Sequence, residues 1–263
     1  MANVSAFLLS AGLGSRLAPL TECWPKCLMP IGGRPLLEYW LCTLYRSGIR
    51  EVLVNTCSHS EKVNHFLSRT RFSEWVDSIY EPKLLGTAGS LIKNADVFID
   101  SKVILIHADN WCQCDFQQFL EFHNQCRPEE TDITMMTFRT ASPSTCGIVE
   151  IDRKGIVQGF HEKVSRPPGN LANGAVYILE PVVLDWLLDR RHIKDFSTEV
   201  LPHFVGKIST WENVGIHRDI GTLNSLLAAQ NDPIPNSCWD NDDYWLSEFK
   251  DNPIHERLAL MSS

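Results

Sequence analysis

This chain predicts an α/β fold with a doubly wound, mostly parallel (mixed) sheet, and three observations carry that expectation. Short, near-continuous apolar runs such as 6–9 and 102–107 recur through the first half of the sequence. Stretches with apolar residues at helical spacing separate those runs. Loops containing glycine, or glycine with proline, stand where several of the runs end. Strand–helix alternation of this kind places helices on both faces of a sheet, and ligands then bind at the carboxyl ends of the strands.

In order along the chain, 6–9 is the first buried strand, followed by the small-residue loop 10–15. Leu37, Trp40, Leu41 and Leu44 share one face of a helix that ends near Gly48. Residues 51–55 form the next strand, and 60–69 a helix with Ser60 as its cap. Strands are expected over 76–80, 102–107 and 133–138, and helices over 87–95 and 115–125. Beyond about residue 141 the pattern changes. Residues 147–151 and 157–160 flank Arg153-Lys154-Gly155 as a hairpin. A strand over 175–179, a helix over 182–190 and a short helix over 197–204 with Ser197 as cap follow. A strand over 209–214 and a helix over 223–230 complete the regular part. The expected organisation is one domain over 1–230. Its first half is 1–140, and 141–230 is a substrate-facing lobe on the same sheet. Residues 231–263 form an extension containing Trp239, Tyr244, Trp245 and Phe249, too aromatic for a wholly disordered tail. It is expected to pack on the chain's own body or on a second copy, which leaves a homo-oligomer open.

The chemistry concentrates in 6–35. Gly12 and Gly14 let backbone come close to a ligand, and Arg16 closes the loop. Lys26 sits between Pro25 and Pro30, where the chain has little freedom. A strand, a glycine loop and two placed cations suit a polyphosphate. The Walker string is absent, and Leu17 stands where the dinucleotide fingerprint needs a third Gly or Ala.

Bulk properties exclude other classes. The 263 residues carry a formal charge of −8 and a sequence pI near 5.6, which argues against nucleic acid or an anionic membrane as the main partner. No basic stretch followed by an apolar run opens the chain, and no apolar run has transmembrane length. The nine cysteines lack paired zinc-site spacing, so reduced thiols in a cytoplasmic protein are expected. No internal repeat is present.

Gly12-x-Gly14-x-Arg16-Leu17-x-Pro19-Leu20-Thr21 with Pro25-Lys26 resembles the signature of the sugar-phosphate nucleotidyltransferases, which make nucleotide-activated sugars. The resemblance covers roughly 3–230 and implies a Rossmann-like sheet. It also implies attack of a sugar 1-phosphate oxygen on the α-phosphorus of a nucleoside triphosphate, with pyrophosphate leaving. The nucleophile is already an anion, so no activating base is required. Charge neutralisation, alignment and a hard metal are. By the resemblance, Arg16 and Lys26 are the catalytic phosphate cations, and Asp109 and Asp219 bind Mg2+. Taken alone, each aspartate is equally a strand-end turn residue or a helix cap.

The same resemblance puts Leu9, Ala11, Gly12, Gly14, Glu81, Gly86 and Thr87 on the nucleotide. Gly147, Glu162, Lys163 and Asn173 fall on the sugar phosphate. The string Leu85-Gly86-Thr87-Ala88-Gly89 resembles guanylyltransferases acting on mannose 1-phosphate or heptose 1-phosphate, which favours GTP. The chain departs from the family at His217, where an aromatic residue is usual, and at His107, and it carries no C-terminal β-helix repeat. His217 is expected to line the sugar pocket and His107 to be a packed strand end. A uridylyl- or cytidylyltransferase is the alternative within this class. A silent nucleotide-sugar-binding regulatory subunit is the alternative outside it, but Arg16, Lys26, Asp109 and Asp219 are all present.

Overall fold

The opening apolar run folds as the strand Asn3–Leu9, with Ala6, Phe7 and Leu8 fully buried. The computed structural model describes residues 3–240 and 243–261. The chain divides into two compact units, and the boundary passes through this strand between Phe7 and Leu8.

The first unit comprises Met1–Phe7, Leu85–Ile106 and Cys114–His217. Its strands stand in the order Val157–Glu162, Gly147–Ile151, Leu171–Leu179, Ser101–His107, Asn3–Leu9. Leu171–Leu179 is antiparallel to Ser101–His107, with Val176 opposite Ile106. It is also antiparallel to Ile133–Arg139, with Ile178 opposite Thr134. Ile208–Glu212 pairs in parallel with Ile133–Arg139. The expected hairpin is present, with Val157 opposite Ile151 and Gly155 turning the chain at φ 76°. Val103, Ile104, Leu105 and Ile106 are all buried, as a near-continuous apolar strand requires. Behind them Glu180 gathers Lys102, Arg127 and His123.

The second unit comprises Leu8–Leu84, His107–Gln113 and Arg218–Ser263. Val52–Thr56 and Val76–Tyr80 pair in parallel, and every residue of the former is buried. The helix Leu36–Arg46 buries Leu37, Trp40, Leu41 and Leu44, the expected face. Gly48, at φ 78°, lets the chain turn so that the Ile49 amide donates to Leu44 O at 3.0 Å. The helices Tyr244–Lys250 and Pro253–Leu260 bury Trp245, Leu246, Phe249, Ile254 and Leu258. Phe249 stacks on Trp24 with centroids 5.8 Å apart, and Trp245 meets Phe66 edge-on at 4.9 Å.

The mixed α/β architecture expected from the sequence is therefore present. Four local expectations are corrected. Ser60 does not cap the helix Ser60–Leu67: His59, at φ 55°, precedes it, and Ser60 is its first helical residue. Residues 196–204 form a turn of π-helix and a 3-10 turn, and Asp195, not Ser197, caps the π turn by accepting from the Thr198 amide at 2.8 Å. The helix begun at Phe116 widens into a π turn over Phe122–Cys126. Cys42 and Cys238, 196 residues apart, are joined in a disulfide, whereas the sequence suggested nine reduced thiols. The other seven form no disulfide. Spacing along the chain could not disclose that pair, because one cysteine rides a helix and the other the extension that packs against it. No helix among the described residues is long and apolar enough to cross a membrane.

Candidate active site

Lys26 opens a 3-10 turn, Lys26–Leu28, directly after Pro25. The Trp24 indole donates to Leu28 O at 2.8 Å and holds that turn in place. The Lys26 side chain is only 7% exposed, which excludes a solvated surface lysine. Its Nζ donates to Asp109 Oδ2 at 2.5 Å and to Asp219 Oδ1 at 3.0 Å. Burial alone would lower the Lys26 pKa, but Asp109 and Asp219 outweigh it and leave the pKa raised.

Asp109 follows the strand Ser101–His107, and the preceding Ala108 amide donates to Leu9 O at 3.1 Å. Asp219 ends the strand Ile216–Asp219. It is not the cap of the next helix. Thr222 fills that role by accepting from the Ser225 amide, in a reciprocal arrangement with the Ser225 side chain. Arg16 donates Nη2–H to Asp219 Oδ2 at 3.2 Å with most of its guanidinium exposed. Burial pushes the Asp219 carboxyl up, but Lys26 and Arg16 bring it below the usual aspartate value. Four residues separated by up to 203 positions thus form one charged cluster in the second unit.

The loop before Arg16 is shaped by Gly14, at φ 63°. A Cβ there would approach Thr21 Cγ2 to 2.8 Å, while Thr21 Oγ1 donates to Gly14 O at 2.9 Å. At Gly12 a Cβ would meet nothing within 4 Å, so the fold itself does not demand glycine there. The loop's start is held by a residue the sequence did not single out. Asn55 Oδ1 accepts from the Ser10 amide at 2.7 Å and the Ala11 amide at 3.2 Å. Asn55 Nδ2 donates in turn to Glu81 Oε2 at 3.2 Å, and Glu81 is fully buried. The available signal was a polar residue near the end of a buried strand, 51–55, where the fold gathers loops. Leu9, Ala11, Gly12, Gly14 and Glu81 all lie in the second unit.

Gly86, Thr87 and the four sugar-side candidates lie in the first unit. Gly86 has φ 82°, and a Cβ would meet the Lys194 carbonyl. Thr87 starts the helix Thr87–Lys93, and its Oγ1 accepts from the Phe196 amide at 2.7 Å. Gly147 stands opposite Glu162 in the hairpin, where a Cβ would approach Glu162 Oε2 to 2.6 Å. Lys163, at φ 48°, pairs through Nζ with Glu162 Oε1 at 3.2 Å and is largely exposed. Asn173 lies at a bulge. It donates Nδ2–H to Tyr177 Oη at 2.7 Å and accepts from the Ala175 amide at 2.9 Å. His217 stacks on Phe138 with centroids 4.2 Å apart, and its Nε2 is 2.8 Å from Gly174 O. It therefore meets the bulged stretch of strand that carries Asn173. His107 ends its strand half-buried.

Among the described residues no group of three or more His, Cys, Asp or Glu gathers as a metal cage. Magnesium does not need one, since it usually takes one or two carboxylates and completes its shell with phosphate oxygens and water. Asp109 and Asp219 reach a single ammonium, so their carboxylates converge on one region, and this hard-oxygen pair fits a magnesium–triphosphate complex.

Comparison with known proteins extends these observations. A family model described as "Nucleotidyl transferase" matches residues 5–234. The chain is 26% identical over 234 residues to a putative mannose-1-phosphate guanyltransferase of Sulfolobus acidocaldarius, covering 85% of this chain and 63% of that protein. It is 28% identical over 236 residues to a mannose-1-phosphate guanylyltransferase of Mycobacterium tuberculosis, covering 88% and 64%. It is 30% identical over 230 residues to the mannose-1-phosphate guanylyltransferase catalytic subunit beta of Drosophila melanogaster, covering 84% and 60%. The chain thus spans between 60% and 64% of the length of these relatives. A crystal structure of a putative glucose-1-phosphate thymidylyltransferase from Bacillus anthracis, in complex with a sucrose, has a TM-score of 0.77 at 22% identity. It covers 89% of this chain and 98% of the other, and it bears on the fold alone.

Proposed function

We propose that this chain, which belongs to the nucleotidyl transferase family, forms a nucleotide-sugar and pyrophosphate from a nucleoside triphosphate and a sugar 1-phosphate. GTP with mannose 1-phosphate or a heptose 1-phosphate is the favoured pair. The observation that carries the reading is the buried Lys26 ammonium, gripped by Asp109 and Asp219, with Arg16 on the outer side of Asp219.

A sugar-phosphate oxygen forms a new bond to the α-phosphorus, and the bond from that phosphorus to the oxygen bridging it to the β-phosphorus breaks, that oxygen leaving with the pyrophosphate. No proton need be removed from the nucleophile, so the work falls on charge and alignment. Lys26 sits at a fixed place to meet the α-phosphate or the incoming sugar phosphate. Arg16, with an exposed guanidinium, is suited to the departing pyrophosphate. Asp109 and Asp219 would hold magnesium, which supplies positive charge to the phosphate oxygens when bound. Asn55 holds the Ser10 and Ala11 amides that begin the phosphate loop. On the sugar side, Glu162 would accept from hydroxyl groups, Lys163 would meet the sugar phosphate, and Asn173 would bridge hydroxyls. The guanine preference rests on Leu85-Gly86-Thr87-Ala88-Gly89 and on the names of the relatives.

Pyrophosphate release tests the reading. GTP, UTP, CTP and dTTP are each paired with mannose, heptose and glucose 1-phosphates. Release is expected with GTP and mannose or heptose 1-phosphate. Release with UTP or CTP alone overturns the base assignment. No release from any pair overturns catalysis.

A further inference from the structure

Asp232 belongs to none of the motifs above, yet it connects the two chain segments that carry the candidate magnesium ligands. It lies two residues past the helix Leu223–Gln230, and its side chain is only 10% exposed. Arg218 donates to it twice, Nε–H to Oδ2 at 2.7 Å and Nη2–H to Oδ1 at 2.9 Å. Trp111 donates Nε1–H to the same Oδ2 at 2.9 Å. Arg218 immediately precedes Asp219, and Trp111 stands two residues after Asp109. All of these residues lie in the second unit.

We propose that Asp232 is a positioning residue for Asp109 and Asp219, holding the segments that bear them so that both carboxylates face one metal ion. The proposal rests on the reading of those aspartates given above. A guanidinium gripped through two donors has its orientation fixed. The Trp111 ring is fully buried, and a buried indole N–H needs an acceptor. Its edge-on contact with Tyr39, at 4.8 Å between centroids, fixes the ring further, and Tyr39 Oη donates to Ile31 O at 2.8 Å. Because one oxygen of Asp232 serves both Arg218 and Trp111, neither donor can shift without straining the other bond. The strand that ends at Asp219 is also hydrogen-bonded to Asn110–Gln113, the strand that follows Asp109, and the Ile220 amide donates to Asp109 O at 3.3 Å. Two carboxylates directed at one point repel each other, so the scaffold must resist their separation. The side-chain tie through Asp232 adds to the resistance that the strand pairing gives.

Asp232→Asn keeps the shape and removes the charge. Whichever way the amide turns, its NH2 faces at least one of the three donors. The full-length variant is compared with the wild type in three measurements. These are the Mg2+ concentration for half-maximal pyrophosphate release, KM for mannose 1-phosphate, and binding of Mn2+ alone, followed by loss of its free-ion electron paramagnetic resonance signal. The expected result is a rise of about tenfold in the Mg2+ requirement and a matching loss of Mn2+ affinity, the scale seen when partners outside the ligand set are removed. KM for the sugar phosphate is expected to stay as in the wild type. A folded Asp232→Asn with unaltered Mg2+ and Mn2+ dependence overturns the proposal and leaves Asp232 a stabilising contact only. If the wild type releases no pyrophosphate, the proposed function fails, while the Mn2+ comparison still decides on Asp232. If the wild type does not bind Mn2+ either, both fall. Should Asp232→Asn not fold, Trp111→Phe keeps the ring and removes one donor. It is expected to weaken Mn2+ binding less but in the same direction, and unchanged binding overturns the proposal.

Discussion

Lys26 Nζ lies 2.5 Å from Asp109 Oδ2, joining a residue of the glycine-loop segment to one at the end of a central strand 83 positions later. The contact is charge-assisted and largely shielded from water on the lysine side, where such bonds are strongest. It also neutralises part of the repulsion between Asp109 and Asp219. The Asp219 pKa is held below 3.8 and that of Lys26 above 10.5, so both stay charged between those limits. The Asp219 contribution to stability is present above 3.8 and is lost as pH falls through its folded value. The Lys26 contribution is full below 10.5 and is lost as pH rises through its folded value.

Lys26→Ala is expected to lower turnover by about 10²–10³, the range for removing one donor that acts on transition-state charge. Steady-state pyrophosphate release measures it. A variant with near-normal turnover would sink the assignment of Lys26.

Gly221 offers a gentler disturbance of the same cluster. A Cβ there would approach Arg16 Nη2 to 2.5 Å and both Asp219 carboxylate oxygens to 2.8 Å. These are ends of side chains, so Gly221→Ala should displace them without unfolding the chain. A fall in turnover of up to about 10² is expected, the scale of an ångström's misplacement. The melting temperature should change little. Equal turnover in variant and wild type would count against a catalytic role for Arg16 and Asp219.

The extension is tested through Phe249, which is 2% exposed and stacks on Trp24 and Trp245. Phe249→Ala should cost about 3–5 kcal/mol, as for other buried aromatic truncations. Chemical denaturation measures the loss. Because Trp24 also braces Leu28 O beside Lys26, a rise in the KM for triphosphate should accompany it. A change near zero would mean that 244–261 does not pack as described.

His123 sets an acid limit. Burial pushes its pKa down to about 4, with Lys102 and Arg127 adding to the effect against the pull of Glu180. The unfolded chain takes up this proton near pH 6.5 and the folded chain only near 4, so the contribution to stability is present above 6.5 and drains away as pH falls between those values. His123→Gln should show a smaller drop in urea midpoint from about pH 7 to about pH 5 than the wild type. Identical drops would refute the assignment.

The apolar runs, their β-α alternation and the hairpin around Gly155 could be read from residues alone, because periodicity and turn chemistry act over a few neighbours. So could Arg16 and Lys26 as cations set in a glycine- and proline-rich segment. Partners far apart along the chain could not be read that way. Asn55 meets Ser10 across 45 positions, Cys42 meets Cys238 across 196, and Asp232 joins segments bearing Asp109 and Asp219. In each case packing of strands and helices, not local sequence, brings the groups together. The corrected caps are local by contrast: His59 and Asp195 stand one and two positions before Ser60 and Ser197 and occupy the cap positions. Local order therefore specified which cations and glycines this chain sets together in its opening segment. Long-range packing set their distances, their burial and the charges they keep.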